Sequence, residues 1–298
     1  DSPDTNLRLA RRLRASGIPT VQYVSPQVWA WRPRRVERIH RSVDLVLCLL
    51  PFEKRFYENR GISAEFVGHP LADSIPLVVD RAAARATLRL RADKRLVALL
   101  PGSRRGEVLR LADDFARTAA WLAAARPELA FVAPMASPTT RDIFARALRR
   151  IAPQVDVHMI EGQAQTALIA CDVALVASGT ATLEAALCKR PMVVVYRLGA
   201  PTAWILRRLN LVKSKFFAQP NLLADRRVVG EYFQEQIDPQ LLGAELLMWL
   251  DDAGRRAVLE QEFVRLHLDL KRDASARAAQ AIVALARQAP RSLTAESP

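Results

Sequence analysis

The sequence is poor in the residues that build metal sites and disulfide frameworks. Its 298 residues include only three cysteines and four histidines. Cys48, Cys171 and Cys188 form no CxxC pair, which favours a reducing cytosol and argues against a structural zinc site. We expect Cys171 and Cys188 in apolar cores. No HxxxH, HExxH or DxD pattern occurs, so a metal-dependent mechanism has little support and we expect no cofactor.

Long apolar runs are absent, and acidic residues are outnumbered. No run of about 18 apolar residues occurs, so the sequence predicts no membrane-spanning helix. Lysine and arginine number 44 against 31 acidic residues, and residues 1–60 alone hold 12 basic and six acidic side chains. This excess favours an anionic partner, although an arginine-rich proteome also accounts for it. No aromatic-rich binding strand or RNA motif is present, so we expect no nucleic acid partner.

From about residue 90, short apolar strands alternate with helical patterns. This alternation predicts a doubly wound parallel sheet that is buried on both faces. The predicted strands are 96–100, 130–134, 155–160, 173–177 and 192–196. The predicted helices between them are 107–125, 139–151, 163–170 and 180–189.

A smaller α/β set precedes residue 80. Its three predicted strands, 20–24, 45–50 and 65–67, are few for a parallel sheet, which usually has about five or six. We therefore expect that the N-terminal part of this domain is missing. After Tyr196 the pattern becomes helical. The predicted helices there are 200–209, 239–250 and 254–287.

Two strand–glycine–helix junctions carry the clearest chemical signal. At the first, Gly102 allows a tight turn, Ser103 can cap the following helix, and Arg104 can bind a phosphate through two hydrogen bonds. At the second, Ser178 and Gly179 are small enough for a ligand to approach the backbone. Two helix N-termini at one sheet edge, together with Arg104, predict a nucleotide-diphosphate site. The alternative is an ordinary pair of strand-to-helix turns.

Other residues in these segments give weaker signals. Thr180 or Thr182 can cap the second helix or donate to a phosphate, and Glu184, one turn into that helix, could accept both hydroxyls of a ribose. A plain helix start with Glu184 near its positive end is the alternative. His69 could contact phosphate or act as an acid, but a lone histidine is more often structural. Asn221 follows a proline and is typical of a turn.

A loop with two tryptophans lies among arginines near the N-terminus. Trp29 and Trp31 suit a sugar face, an acyl chain or a bilayer interface, although either ring could pack under the domain. The neighbouring basic residues are Arg32, Arg34 and Arg35.

Several segments closely resemble the lipid-A-disaccharide synthase family, which is glycosyltransferase family 19. The resemblance covers roughly residues 1–287, with matching order and spacing. The matching segments are 23–32, 49–53, 66–73, 99–104, 177–184 and 220–223.

This resemblance implies a GT-B fold: two Rossmann-like domains facing across a cleft, here with the N-terminal one incomplete. It implies UDP-2,3-diacylglucosamine as donor and 2,3-diacylglucosamine 1-phosphate (lipid X) as acceptor. It further implies a homodimer, peripheral on the cytoplasmic face of the inner membrane. Two alternatives are another GT-B enzyme that uses UDP-GlcNAc and a truncated, non-catalytic fragment that binds anionic membranes.

The resemblance also assigns roles to individual residues. Asp1 matches an acidic candidate general base, although Thr5 replaces an aromatic residue of the family pattern beside it. The tryptophan loop is placed on the membrane and acceptor side. The implied donor-site residues are Gly102, Ser103, Arg104, Ser178, Gly179, Thr180, Glu184 and Asn221.

The predicted domain organisation has four parts. Residues 1–75 form a partial N-terminal domain on the acceptor and membrane side, and 76–253 form the UDP-sugar-binding Rossmann-like domain. Residues 254–287 form a C-terminal helix that can pack back on the N-terminal domain, and 288–298 form a disordered tail. The glycine- and serine-containing loop that opens the family is absent from this sequence, so we expect a fragment or a mis-called start, and an impaired enzyme if this is the real polypeptide.

Overall fold

A computed structural model describes residues 3–26, 28, 36–199 and 215–288. The strands are β1 (Val21–Tyr23), β2 (Leu45–Cys48), β3 (Ala64–Phe66), β4 (Leu96–Leu100), β5 (Ala130–Met135), β6 (Val157–Glu161), β7 (Val173–Ala177), β8 (Met192–Tyr196) and β9 (Gly230–Phe233). The helices are α1 (Pro3–Ala15), α2 (Val36–His40), α3 (Pro51–Glu58), α4 (Pro70–Ser74), α5 (Arg81–Thr87), α6 (Arg105–Ala125), α7 (Pro138–Ile151), α8 (Ala164–Ala170), α9 (Thr180–Leu187), α10 (Gln219–Ala224), α11 (Pro239–Asp251), α12 (Ala253–Leu270) and α13 (Ala274–Gln288).

The described residues form two compact units. The first holds those up to Ser74 and those from Leu268 onward, and the second holds those from Ile75 to His267. Among the described helices, none combines the length and the apolar character that a bilayer crossing needs. The predicted helix at 200–209 and residues 289–298 of the predicted tail lie outside the described residues.

The first unit is built on a three-stranded parallel sheet in the order β1-β2-β3. Successive residues of a strand face opposite sides of the sheet. In β2, Val46 and Cys48 belong to one apolar cluster, which also contains Tyr57 of α3. Leu47 belongs to a second cluster with Ala278 and Ala281 of α13. The last described helix of the chain therefore covers part of this early sheet.

The second unit is a six-stranded parallel sheet in the order β6-β5-β4-β7-β8-β9. Every residue of β4 and β7 is buried, as expected for central strands between two helical layers. The five strands predicted after residue 90 are all present. Cys171 and Cys188 are buried, as predicted.

Two predictions for the C-terminal third are wrong. The stretch after Tyr196 is not purely helical, because β9 pairs with β8 at the sheet edge, where Tyr196 lies opposite Phe233. This strand is short and only partly buried, so its sequence lacks a continuous apolar run. The predicted single helix 254–287 is two helices, α12 and α13, separated at Asp273, whose φ is +57°.

A buried arginine stabilises the second sheet at the edge where strands β4 and β7 begin. Arg85 is 5% exposed and donates to the carbonyl oxygen of Ala170 at 2.9 Å and to the Asp172 carboxylate at 2.9 Å. The same carboxylate accepts from the backbone N–H of Leu96 at 2.7 Å. Because Asp172 precedes β7 and Leu96 opens β4, this network ties together the two strands that lead into the candidate site.

Candidate functional site

The two strand–glycine–helix junctions meet at one edge of the second sheet. Strands β4 and β7 are parallel neighbours, with Leu100 opposite Val176. Gly102 and Gly179 therefore follow the carboxyl ends of two adjacent strands. The chain winds outward from β4 in one direction and from β7 in the other. This is the topological switch point, where open α/β sheets bind their ligands.

The first junction depends on Gly102 and Glu107. Gly102 has φ of +125°, and a Cβ there would lie 2.8 Å from the Cβ of Glu107. The Glu107 carboxylate accepts from the backbone N–H groups of Ser103 and Arg104, each at 3.3 Å. Its other oxygen accepts from the Arg104 guanidinium at 3.0 Å. The prediction that Ser103 caps α6 is therefore wrong, because Arg104 is the capping position and Glu107 bonds the free N–H groups.

The second junction is held by a threonine. Thr182 is fully buried; its hydroxyl donates to the carbonyl oxygen of Gly179 at 2.8 Å and accepts from the N–H of Gln219 at 3.1 Å. Ser178 donates through its hydroxyl to the carbonyl oxygen of Phe217 at 3.2 Å. Thr180 is the first residue of α9 and is exposed, as is Gly179. Thr182 therefore shapes the turn, while Gly179 and Thr180 stay accessible.

Glu184 lies on α9, one turn beyond this junction. Its side chain is half-buried, and burial raises the pKa of its carboxyl above the ordinary value. Within the described residues, no hydrogen bond or ion pair reaches this carboxylate. A desolvated carboxylate without a protein partner is costly, and such groups are often found at functional sites.

Asn221 is fully buried, and the protein itself saturates its polar atoms. Its amide nitrogen donates to the carbonyl oxygen of Val229 at 3.0 Å and to the Glu231 carboxylate at 2.7 Å. Its amide oxygen accepts from the N–H groups of Val228 and Val229 at 2.7 and 3.0 Å. An amide has two N–H donors and one acceptor oxygen, so no donor is left for a ligand. The structure thus gives Asn221 a loop-shaping role instead of an open binding position.

Glu231 and an aromatic cluster at this edge were missed from the sequence. Glu231 accepts from the N–H groups of Phe217 and Ala218 at 2.9 and 2.7 Å, which holds the two residues that precede α10. The rings of Tyr196, Phe217 and Phe233 lie 5.2 to 5.8 Å apart. The signal was the position of Tyr196 at the carboxyl end of a predicted strand. The other two rings depend on β9, which was not predicted.

The remaining predicted residues include one that the structure describes, His69. His69 belongs to the first unit, where its Nδ1 accepts from the N–H of Leu71 at 3.1 Å and burial lowers its pKa. This supports the structural alternative for His69. The candidate base Asp1 and the candidate membrane residues lie outside the described residues. The latter are Trp29, Trp31, Arg32, Arg34 and Arg35.

Comparison with known proteins identifies the family. A family model described as lipid-A-disaccharide synthetase matches residues 1–285, nearly the whole chain. The chain belongs to the lipid-A-disaccharide synthase family. Members of this family are glycosyltransferases of lipid A biosynthesis.

Similar lipid-A-disaccharide synthases are known from several bacteria. The protein of Pseudomonas syringae pv. syringae (strain B728a) is 50% identical over 290 residues, which make up 97% of this chain and 74% of that protein. The protein of Xanthomonas axonopodis pv. citri (strain 306) is 48% identical over 290 residues, 97% of this chain and 66% of that protein. The chain thus spans two thirds to three quarters of the length of these two synthases.

Solved structures confirm the predicted α/β fold of GT-B type. UDP-GlcNAc 2-epimerase from Neisseria meningitidis, bound to UDP-GlcNAc, matches with a TM-score of 0.59 at 12% identity, covering 95% of this chain and 74% of that one. The UDP-forming α,α-trehalose-phosphate synthase from Burkholderia vietnamiensis matches with a TM-score of 0.54 at 15% identity, covering 95% and 69%. At these identities the likeness shows the fold alone.

Proposed function

We propose that this protein is an inverting glycosyltransferase that joins UDP-2,3-diacylglucosamine to lipid X. The products are lipid A disaccharide 1-phosphate and UDP. Membership of the lipid-A-disaccharide synthase family supports this proposal. The observation that carries it for this chain is the meeting of two helix N-termini and Arg104 at the switch point of the second sheet.

The donor diphosphate would bind against the two junctions. Backbone N–H groups at helix N-termini favour phosphate, and a guanidinium can add two charge-assisted hydrogen bonds. Glu184 would accept the ribose hydroxyls, which would give its desolvated carboxylate the donors that it lacks. Asn221 would act indirectly, by holding Glu231 and the start of α10 in place. The residues in direct contact would be Gly102, Ser103, Arg104, Ser178, Gly179, Thr180 and Glu184.

The reaction would be a single displacement at C1 of the donor sugar. The 6-hydroxyl of lipid X attacks C1 from the face opposite the phosphate, and a carboxylate, for which Asp1 is the candidate, takes the hydroxyl proton. The bond between C1 and the phosphate oxygen breaks, and negative charge collects on UDP. Arg104 and the preorganised N–H groups stabilise that charge, so the mechanism calls for no cofactor.

The lipid substrates suggest where the protein works. Both carry acyl chains, and the tryptophan loop with its arginines suits the interface of an anionic membrane. We place the protein on the cytoplasmic face of the inner membrane, as a peripheral homodimer. Trp29 and Trp31 would contact acyl chains, and Arg32, Arg34 and Arg35 would face lipid phosphates.

Arg104→Ala tests the proposed donor site. We expect turnover of UDP-2,3-diacylglucosamine and lipid X to fall about 100-fold or more, because one charged donor to the leaving group is lost. Arg91→Ala is the matched control, since Arg91 is exposed and pairs only locally with Asp93. Wild-type turnover in Arg104→Ala would refute the site. Absence of UDP binding in the unmodified protein would refute the proposed function.

A further inference from the structure

The first junction already holds an anion of its own. The Glu107 carboxylate accepts from the N–H groups of Ser103 and Arg104, which the proposed function assigns to the donor diphosphate. It also pairs with the guanidinium that the proposed function assigns to the donor diphosphate. Each of the two backbone N–H groups has one hydrogen, so neither can serve the carboxylate and a phosphate fully at once, and the guanidinium would divide its five N–H donors between them.

The turn is shaped to admit this carboxylate. A Cβ at Gly102 would lie 3.0 Å from Oε2 of Glu107, so only a glycine leaves the space that the carboxylate fills. The fit is close, but the contacts are weak. Both backbone hydrogen bonds measure 3.3 Å, beyond the usual range for N–H···O bonds. The Arg104 side chain is 82% exposed, so solvent screens its pairing with Glu107.

A weakly held carboxylate in an anion site is suited to exchange. We propose that Glu107 is a resident anion that a phosphate oxygen of the nucleoside diphosphate displaces on binding, and that returns when the product leaves. This inference rests on the proposed function and adds an affinity-setting residue to its site. Glu107 would lower the affinity for UDP and would assist its release by competing for the same donors.

Binding of UDP to Glu107→Gln tests the exchange. Glutamine keeps the shape of the side chain but removes its negative charge. We expect Glu107→Gln to bind UDP roughly two- to fivefold more tightly than the unmodified protein, the range set by an exposed ion pair. Uridine, which has no phosphate, should bind the two proteins equally. The difference for UDP should shrink as ionic strength rises. Isothermal titration calorimetry measures each affinity.

A matched control removes a charge elsewhere on the same helix. Asp113 lies on α6 and pairs with Arg150 at 2.6 Å, away from the junction. Asp113→Asn should therefore leave UDP affinity unchanged. Glu107→Ala, with the same expected tightening, serves if Glu107→Gln does not fold, as judged by its melting temperature.

The outcomes distinguish failure of the exchange from failure of the proposed function. If the unmodified protein binds UDP and the folded Glu107 variants bind it equally or more weakly, the exchange is refuted and the proposed donor site stands. If Asp113→Asn tightens UDP as much as Glu107→Gln does, general charge is responsible and the exchange is again refuted. If none of these proteins binds UDP, the proposed function fails as well.

Discussion

At the scale of single residues, Asn221 and Glu184 show opposite uses of a polar side chain. The strand–turn–helix pattern placed Glu184 near a ligand, whereas only the family resemblance placed Asn221 there. The partners of Asn221 could not be predicted, because Glu231 lies in the edge strand β9 and Val229 immediately precedes it. Asn221 is saturated by these partners, whereas the Glu184 carboxylate meets none among the described residues. The sequence predicted that both residues lie near the donor site, and tertiary contacts decided which side chain is left open to a ligand.

Glu184→Gln should raise the stability of the protein and lower its affinity for UDP. Burial raises the pKa of Glu184, so the folded state binds its proton more tightly than the unfolded state does. Below the ordinary pKa the carboxyl is protonated in both the folded and the unfolded state, so its burial carries no charge penalty. Above the raised pKa it is charged in both states, and the folded state carries the full penalty. The free energy of unfolding therefore falls as pH rises between these two pKa values. At neutral pH the glutamine variant should melt at a higher temperature than the unmodified protein, and the difference should vanish in acid.

The same variant should lose affinity for the ribose. We expect Glu184→Gln to bind UDP more weakly, since a neutral amide accepts less strongly from two hydroxyls than a carboxylate does. Thermal melts at several pH values and calorimetry with UDP measure the two effects. A variant that melts lower at neutral pH would contradict the stated cost of burying Glu184.

At the scale of elements, one carboxylate joins α4 to the start of α13. Asp73 accepts from the backbone N–H groups of Asp273 at 3.0 Å and Ala274 at 2.6 Å. Gly68, with φ of +96°, passes so close that a Cβ would lie 2.6 Å from that of Arg272. The sequence predicted a helix over 254–287 that can pack back on residues 1–75. It did not indicate this contact, because capping by a residue so distant along the chain leaves no local pattern.

Asp73→Ala should loosen α13 selectively. Loss of a helix cap costs about 1 kcal/mol, so hydrogen exchange of amides 274–288 should accelerate about fivefold. Asp238→Ala is the matched control: Asp238 caps α11 through the N–H groups of Gln240 and Leu241. That control should accelerate exchange in 239–251 and leave 274–288 unchanged. Equal protection of α13 in the unmodified protein and in Asp73→Ala would show that the cap contributes nothing.

At the scale of the whole molecule, pattern alone predicted most of the second unit. Five buried strands separated by helices specified a doubly wound sheet, and two glycine turns after strands predicted a shared edge. The missed features lie at that sheet's margin, where β9 is partly exposed and the apolar signal weakens. The net charge of +13 is a property of the entire chain, and it favoured an anionic partner without identifying it.

The charge and the tryptophan loop together predict binding to anionic vesicles. We expect the protein to sediment with vesicles that contain an anionic phospholipid, and less so as salt rises, because Arg32, Arg34 and Arg35 would face lipid phosphates. Trp29→Ala/Trp31→Ala should reduce that binding at every salt concentration. Neutral vesicles and the Arg91→Ala variant are the controls. Unaltered sedimentation of the double variant would place the membrane contact elsewhere.

The position of α13 also bears on how the protein is made. Asp73 and its hydrogen-bond partner Ala274 are 201 positions apart in the sequence. Leu47 packs in one apolar cluster with Ala278 and Ala281 of the same helix, α13. Because a ribosome delivers the chain from its N-terminus, residues of the first sheet emerge well before the helix that completes their apolar cluster. The nascent polypeptide must hold an uncovered sheet face until residues 274–288 have been made, which makes that face a natural target for chaperones.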